Sequence, residues 1–341
     1  MGQWAVPRML RGSALGRMAT NLVLRYQGFG LRNVADVQHL VSKYIKRIRA
    51  RSIESFTVSG LEHLDPQRPY LYVCNHRDII LDSALLSYAL HHEGHNTSRI
   101  AVGDNLFANA FAADLMRLNK SFIVERTAEG LRAQYRAITR TSRYIRFSFE
   151  EDVSVWIAQR QGRAKDGFDR TDPALLKMLM LAYRSADDPL ASMLANATIV
   201  PVSISYELDP CGLLKANELA VRATGQAYQK DPEEDLRSII TGVSGFKGRI
   251  HLAFAKPIEA ARDLTDLATQ LDHAIVSAYK LFPTHYYAKA LVAGDDGVEL
   301  ENSVALSRLQ EEVATSNAAI RPYLLAQYAN IFRNREELGI D

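Results

Sequence analysis

Cysteine is scarce in this 341-residue chain: Cys74 and Cys211 stand alone and far apart. Two isolated thiols exclude a disulfide framework and a clustered zinc site; they fit a reducing cytosol, each as a small buried side chain. No apolar run reaches the ~18 residues that span a bilayer, and the amino-terminal stretch has no continuous apolar signal segment. The start Met1-Gly2-Gln3-Trp4-Ala5-Val6 has valine where a myristoylation signal carries Ser or Thr. Any meeting with a membrane is therefore expected to be peripheral. Strong net charge is missing as well, at +2, which excludes a global attraction to nucleic acid.

Several catalytic signatures are also absent. His76-Arg77-Asp78 spells the start of a kinase catalytic loop, but "GFGLRN" at 28–33 lacks the third glycine and "DGFD" at 166–169 is not the metal-binding Asp-Phe-Gly. His76 also comes too early for a nucleotide lobe to precede it. No Gly-x-Ser-x-Gly elbow serves a serine hydrolase, since "GVSGF" at 242–246 has the wrong glycine spacing. Neither His-Glu-x-x-His nor a Cys/His cluster points to a metal.

What is present is an ordinary globular composition, 47% hydrophobic and 23% charged, long enough to bury a sizeable core. Positive charge gathers at the amino end, where Arg8, Arg11, Arg17, Arg25, Arg32, Lys43, Lys46, Arg47, Arg49 and Arg51 face the lone acid Asp36. Within it, "DVQHLVSKYIKRIRARS" at 36–52 sets Val37, Leu40, Val41, Tyr44, Ile45 and Ile48 at helical spacing, a basic amphipathic helix. Its charged face is either solvated above a packed helix or laid on an anionic membrane surface.

From Phe56 the pattern alternates. Short β-rich runs at 56–59, 70–74, 99–102, 121–125, 153–158, 198–206 and 250–254 are separated by helical segments such as 83–93, 130–146 and 173–185. The expected fold is α/β: a mixed, largely parallel sheet with helices on both faces, plus amino-terminal and carboxy-terminal helical additions. The division expected is 1–55 as a basic helical segment, 56–260 as the α/β domain and 261–341 as a helical extension, with two long periodic pieces after Pro257. Reactive groups are expected in the loops beyond the strand ends.

The stretch "CNHRDIILDSALL" at 74–86 places His76 where an apolar strand turns into a helix. An imidazole there can take a proton from a hydroxyl near neutral pH if a carboxylate such as Asp82 orients it; alternatively Asp78 or Asp82 is a helix cap. "SFIVER" at 121–126 and "WIAQRQGRAKDG" at 156–167 end strands in basic groups, and Arg126, Arg163 and Lys165 could converge on a phosphate, with Gly162 letting backbone N–H groups approach. "IVPVSISYE" at 199–207 offers Pro201 as part of a site wall, or is simply a buried strand. The helix "PALLKMLMLAY" at 173–183 either lines an acyl channel or is core.

Taken in order, these four segments, over residues ~70 to 207, resemble the glycerolipid acyltransferase superfamily, which includes the glycerol-3-phosphate and lysophosphatidate acyltransferases. "GRIHLAFAKPI" at 248–258 looks like the strand that closes that family's domain. The resemblance implies His76 as general base, Asp82 as its partner, and Asn75, Arg77, Arg126, Gly162, Arg163, Lys165 and Pro201 on the substrate side. It further implies no metal or cofactor, an acyl-CoA or acyl carrier protein co-substrate, a phosphorylated glycerol acceptor, and work on the cytoplasmic face of an anionic membrane. Two departures stand out. Five residues, not the family's usual four, separate His76 from Asp82, so either the turn bulges or Asp78 is the partner. The third block reads Gln161-Gly162 in place of Glu-Gly, and a one-residue shift would put Arg160 at the Glu position. A lipid-binding or scaffolding protein of the same fold, without catalysis, is the alternative expectation.

Overall fold

The computed structural model describes residues 34–104, 120–125, 128–231, 233–295 and 297–341, with side chains from Ser42 onward. The chain forms two compact units, 1–43 and 44–341. In the first, the described element is the beginning of helix α1 (Val34–Ser52). In the second, α1 continues with Ile45 buried and Lys46 and Arg47 exposed. Its Arg49 lies over the rings of Phe56 and Tyr88, so part of the basic face is already used in packing.

Among the described residues, seven strands make one sheet: β1 (Ser55–Ser59), β2 (Leu71–Cys74), β3 (Arg99–Gly103), β4 (Ser121–Val124), β5 (Val155–Ala158), β6 (Ile199–Tyr206) and β7 (Arg249–Phe254). Their order is β1-β7-β6-β2-β5-β3-β4. Every neighbouring pair is parallel except β6 and β7. The sheet is thus mixed and largely parallel, and β2 to β6 all run the same way. Their carboxyl ends share one edge, so the loops after β2, β5 and β6 meet there.

Helices α2 (Leu81–His92), α3 (Leu131–Glu150), α4 (Pro173–Met180), α5 (Pro189–Asn196), α6 (Gly212–Ala223) and α7 (Glu234–Ser244) connect the strands. After β7 come α8 (Leu264–Ser277), α9 (Pro283–Ala293), α10 (Val304–Thr315) and α11 (Arg321–Glu337). Leu71, Val73, Val155 and Ile157 pack one sheet face against Ile145 and Phe149 of α3, Leu176 and Leu179 of α4, and Leu267 and Leu271 of α8. The opposite face holds Tyr72, fully buried and edge-on to Phe254. Such two-sided burial explains the near-continuous apolar strands. Leu176, Met178, Leu179 and Tyr183 belong to the cluster on the first sheet face, so the inner face of 173–183 is core.

Candidate active site

His76 follows the end of β2 by two residues, and its Nδ1 lies 2.8 Å from Asp82 Oδ2. Asp82, in the first turn of α2, is wholly buried, whereas the imidazole retains 15% exposure. A carboxylate acceptor at Nδ1 puts the ring proton there, leaving the Nε2 lone pair, which has no hydrogen bond among the described residues, open to a hydroxyl. The Trp156 ring stands edge-on to the imidazole at 5.8 Å. Asp82 is itself fixed at both oxygens. The backbone N–H groups of Arg77 and Asp78 donate to Oδ2 at 2.6 and 2.9 Å, and the Tyr206 hydroxyl donates to Oδ1 at 2.9 Å.

The five-residue spacing is absorbed in the turn. Asp78 Oδ1 accepts from the N–H groups of Ile80 and Leu81 at 2.9 and 2.8 Å, capping the start of α2. The extra residue thus lengthens the capped turn, and Asp82 lies against His76. The Asp78 carboxyl is pushed above the ordinary range, first by burial and then by the charge of Asp82, while the two capping N–H groups and Arg163 pull it back.

Asn75 and Arg77, expected on the substrate side, are buried within the fold. Arg77 holds Asp169 in a two-point pair at 2.7 and 2.6 Å and lies under the Tyr279 ring. Asn75 donates to Asp169 and to the Ile204 carbonyl at 3.0 and 3.1 Å and accepts from the Ile204 N–H at 2.7 Å. Through these bonds the two side chains fix the strand ends from which His76 projects. Asp169 is in turn tied to α11, since its N–H donates to Asn334 Oδ1 at 2.7 Å. Buried Lys215 of α6 reaches the Arg77 carbonyl at 2.8 Å and also binds Asp209. None of Asp169, Tyr206, Lys215 and Asn334 was expected. Asp169 had been visible in "DGFD", but only as a failed kinase motif.

The loop after β5 closes over the same edge, with the Ala164 N–H donating to the His76 carbonyl at 2.7 Å. This flanks the histidine with residues 163 and 165. Arg163 is partly exposed and, among the described residues, makes one side-chain hydrogen bond, to Ser238 Oγ at 3.3 Å. Lys165 is instead paired with Glu218, which Arg222 also binds at 2.9 Å, and burial lowers the lysine's affinity for its proton. Gly162 is exposed with a left-handed φ of 77°. Gly167, also left-handed, lies so near α11 that a Cβ would stand 2.6 Å from the Gln327 carbonyl. Gln161 is exposed, and Arg160 pairs with Asp166 at 3.1 Å. Pro201 sits inside β6 opposite Val73, buried, its carbonyl accepting from the Ala255 N–H at 2.9 Å. Arg126 lies outside the described residues. Among the described residues, no three His, Cys, Asp or Glu side chains are grouped as a metal would need, and no helix is long and apolar enough to cross a membrane.

The family model for acyltransferases matches residues 55–205, from the start of β1 to the last residue but one of β6. A glycerol-3-phosphate acyltransferase of Aeromonas hydrophila is 26% identical over 266 residues, covering 75% of this chain and 30% of that protein. One of Haemophilus ducreyi is 29% identical over 192 residues, or 55% of this chain and 22% of that protein. The chain thus spans less than a third of the length of these curated relatives. The crystal structure of the 1-acyl-sn-glycerophosphate acyltransferase PlsC from Thermotoga maritima matches 76% of this chain and 86% of its own, with a TM-score of 0.43 at 16% identity. Residues 55–205, which carry the histidine and aspartate of the first block and the loop of the third, match the acyltransferase family, and over this segment the chain is similar to the glycerolipid acyltransferases.

Proposed function

We propose that this protein moves a fatty acyl group from an acyl-CoA or acyl carrier protein thioester to a hydroxyl of glycerol-3-phosphate or a 1-acylglycerol-3-phosphate. The observation that carries the reading is the His76–Asp82 pair, oriented through Nδ1 and open at Nε2. His76 Nε2 takes the acceptor's hydroxyl proton as the oxygen attacks the thioester carbonyl. Asp82 holds the ring and stabilises the imidazolium, as the orienting carboxylate does in other acyl-transfer sites. The tetrahedral intermediate then collapses, the C–S bond breaks, and the proton on His76 passes to the departing thiolate. Arg163, beside the histidine, supplies the cation for the acceptor's phosphate. Lys165, held by Glu218, shapes the loop. The work is placed on the cytoplasmic face of a membrane, where an acyl-bearing acceptor or product resides.

The test is thiol release from a long-chain acyl thioester by the full chain, with glycerol-3-phosphate, a 1-acyl derivative and unphosphorylated glycerol as acceptors. Release should depend on a phosphorylated acceptor and match the ester formed. Equal release without acceptor would make the protein a thioesterase. Lipid binding with no release would favour a scaffolding role.

A further inference from the structure

Helix α3 carries Arg132, Arg136, Arg140, Arg143 and Arg146 and no acid before Glu150. Its inward stripe seats Ser142, Ile145 and Phe149, all buried. At helical spacing that stripe continues toward the amino end through Ile138, Tyr135 and Leu131, where the cover stops. Leu131 is 86% exposed and Tyr135 44%. Ile138, Phe147 and, at the end of neighbouring β4, Ile123 are exposed as well.

The arginines line the outward side. Arg140 reaches Glu125 at 3.4 Å and Arg146 reaches Glu150 at 3.0 Å. Arg132, Arg136 and Arg143 are exposed, and no hydrogen bond or ion pair engages them among the described residues. A solvated helix face would ordinarily mix acids among such arginines at three- and four-residue spacing. Here cationic forks and uncovered apolar side chains run side by side along one rod. That is the composition of a helix that lies in a bilayer interface, with arginines on phosphates and the apolar stripe in the acyl boundary.

The position of α3 adds a second reason. β4 runs in the same direction as β2, so α3 starts at the sheet edge where His76 stands. Its uncovered apolar half is therefore the end nearest the site's edge. We propose that α3 is a membrane-docking helix that sets the catalytic edge of the sheet against an anionic phospholipid surface. This rests on the acyl-transfer reading for its purpose, since an acceptor or product with an acyl chain then need not leave the bilayer. It does not rest on that reading for its test.

The full chain is sedimented with phosphatidylcholine vesicles with and without phosphatidylglycerol, at low and high salt. Arg132→Glu, Arg136→Glu and Arg143→Glu together should cut capture by the anionic vesicles at least about tenfold. Leu131→Ser with Ile138→Ser should weaken capture in a way that salt does not mimic. A tryptophan at 135 (Tyr135→Trp) should shift to the blue on adding anionic vesicles. Turnover of glycerol-3-phosphate with a soluble thioester should be unchanged in all three variants, so loss of capture with turnover intact separates docking from catalysis. If the parent is captured and the reversal abolishes capture, but the parent turns over no acceptor, the functional reading fails and the docking helix stands. Unchanged capture by the triple reversal overturns the proposal, as does capture lost only on Lys43→Glu, Lys46→Glu and Arg47→Glu. A raised KM for acyl carrier protein with vesicle capture intact would assign the face to an acidic protein and likewise overturn it.

Discussion

Asp82 receives four hydrogen bonds, and the one from the Tyr206 hydroxyl comes from another strand, 124 residues away. Tyr206→Phe removes one donor without opening a hole. It should slow acyl transfer by about tenfold to a hundredfold, the worth of one hydrogen bond to a buried charge, while KM for both substrates stays put. A rate equal to the parent's would show that the N–H groups of Arg77 and Asp78 suffice. Asp78 tests the neighbouring carboxyl. Its raised proton affinity means that its contribution to stability is complete below the ordinary carboxyl range and is lost as pH rises through its raised value. Asp78→Asn keeps an oxygen for the Ile80 and Leu81 N–H groups and has no proton to lose. At neutral pH the variant should melt at or above the parent's temperature, and a clear fall would mean that the charge itself is needed. The sequence offered Asp78 and Asp82 alike as neighbours for His76, and it is the turn before α2 that sets Asp82 against the ring. Tyr206, Asp169 and Lys215 were not legible in the sequence, since only the sheet order and the packing of α6 bring them to this edge.

At the scale of elements, the strands of the described residues were legible to within two residues, the central β2, β5 and β6 because strands buried on both faces read as apolar runs between turn residues. The carboxy-terminal helices were legible in kind but not in number. The periodic run from Ser303 is two helices, broken where Asn317 turns the chain and Pro322 starts α11. Apolar periodicity passes over such a break because Leu309, Val313, Leu324 and Tyr328 all face one cluster. Helix α7 shows what the sequence hides at close quarters. A Cβ on Gly242 would stand 2.0 Å from Asp78 Oδ2, so α7 can lie against the start of α2 only with glycine there. Gly242→Ala should cost on the order of 1–3 kcal/mol in urea unfolding, as overpacked sites do, and should lower turnover by disturbing the turn that carries His76. Parent-like stability would mean that the two helices part more easily than their contact suggests.

For the whole molecule, the helices after β7 brace the site's loop from outside the matched segment: Asn330 and Asn334 of α11 hold the Asp166 carbonyl and the Asp169 N–H at 2.7 Å each. Stability of this part is expected to depend on pH through Glu312 of α10. One of its oxygens is buried without a hydrogen-bond partner among the described residues, and burial first, then the charge of Asp209, push its carboxyl up to about 7. A raised carboxyl stabilises fully below its unfolded value and progressively less as pH climbs from about 4.5 to about 7. The parent should lose stability across that window while Glu312→Gln loses less, measured as urea midpoints at each pH. Identical slopes would remove Glu312 from the account. The proton relay is tested most directly by comparing His76→Ala with the parent in acceptor-dependent thiol release, after circular dichroism has shown both to be folded. Loss of a general base predicts a turnover lower by a factor of about 10² to 10⁴ with acyl-thioester binding retained. A folded His76→Ala protein turning over at near the parent's rate would contradict the account.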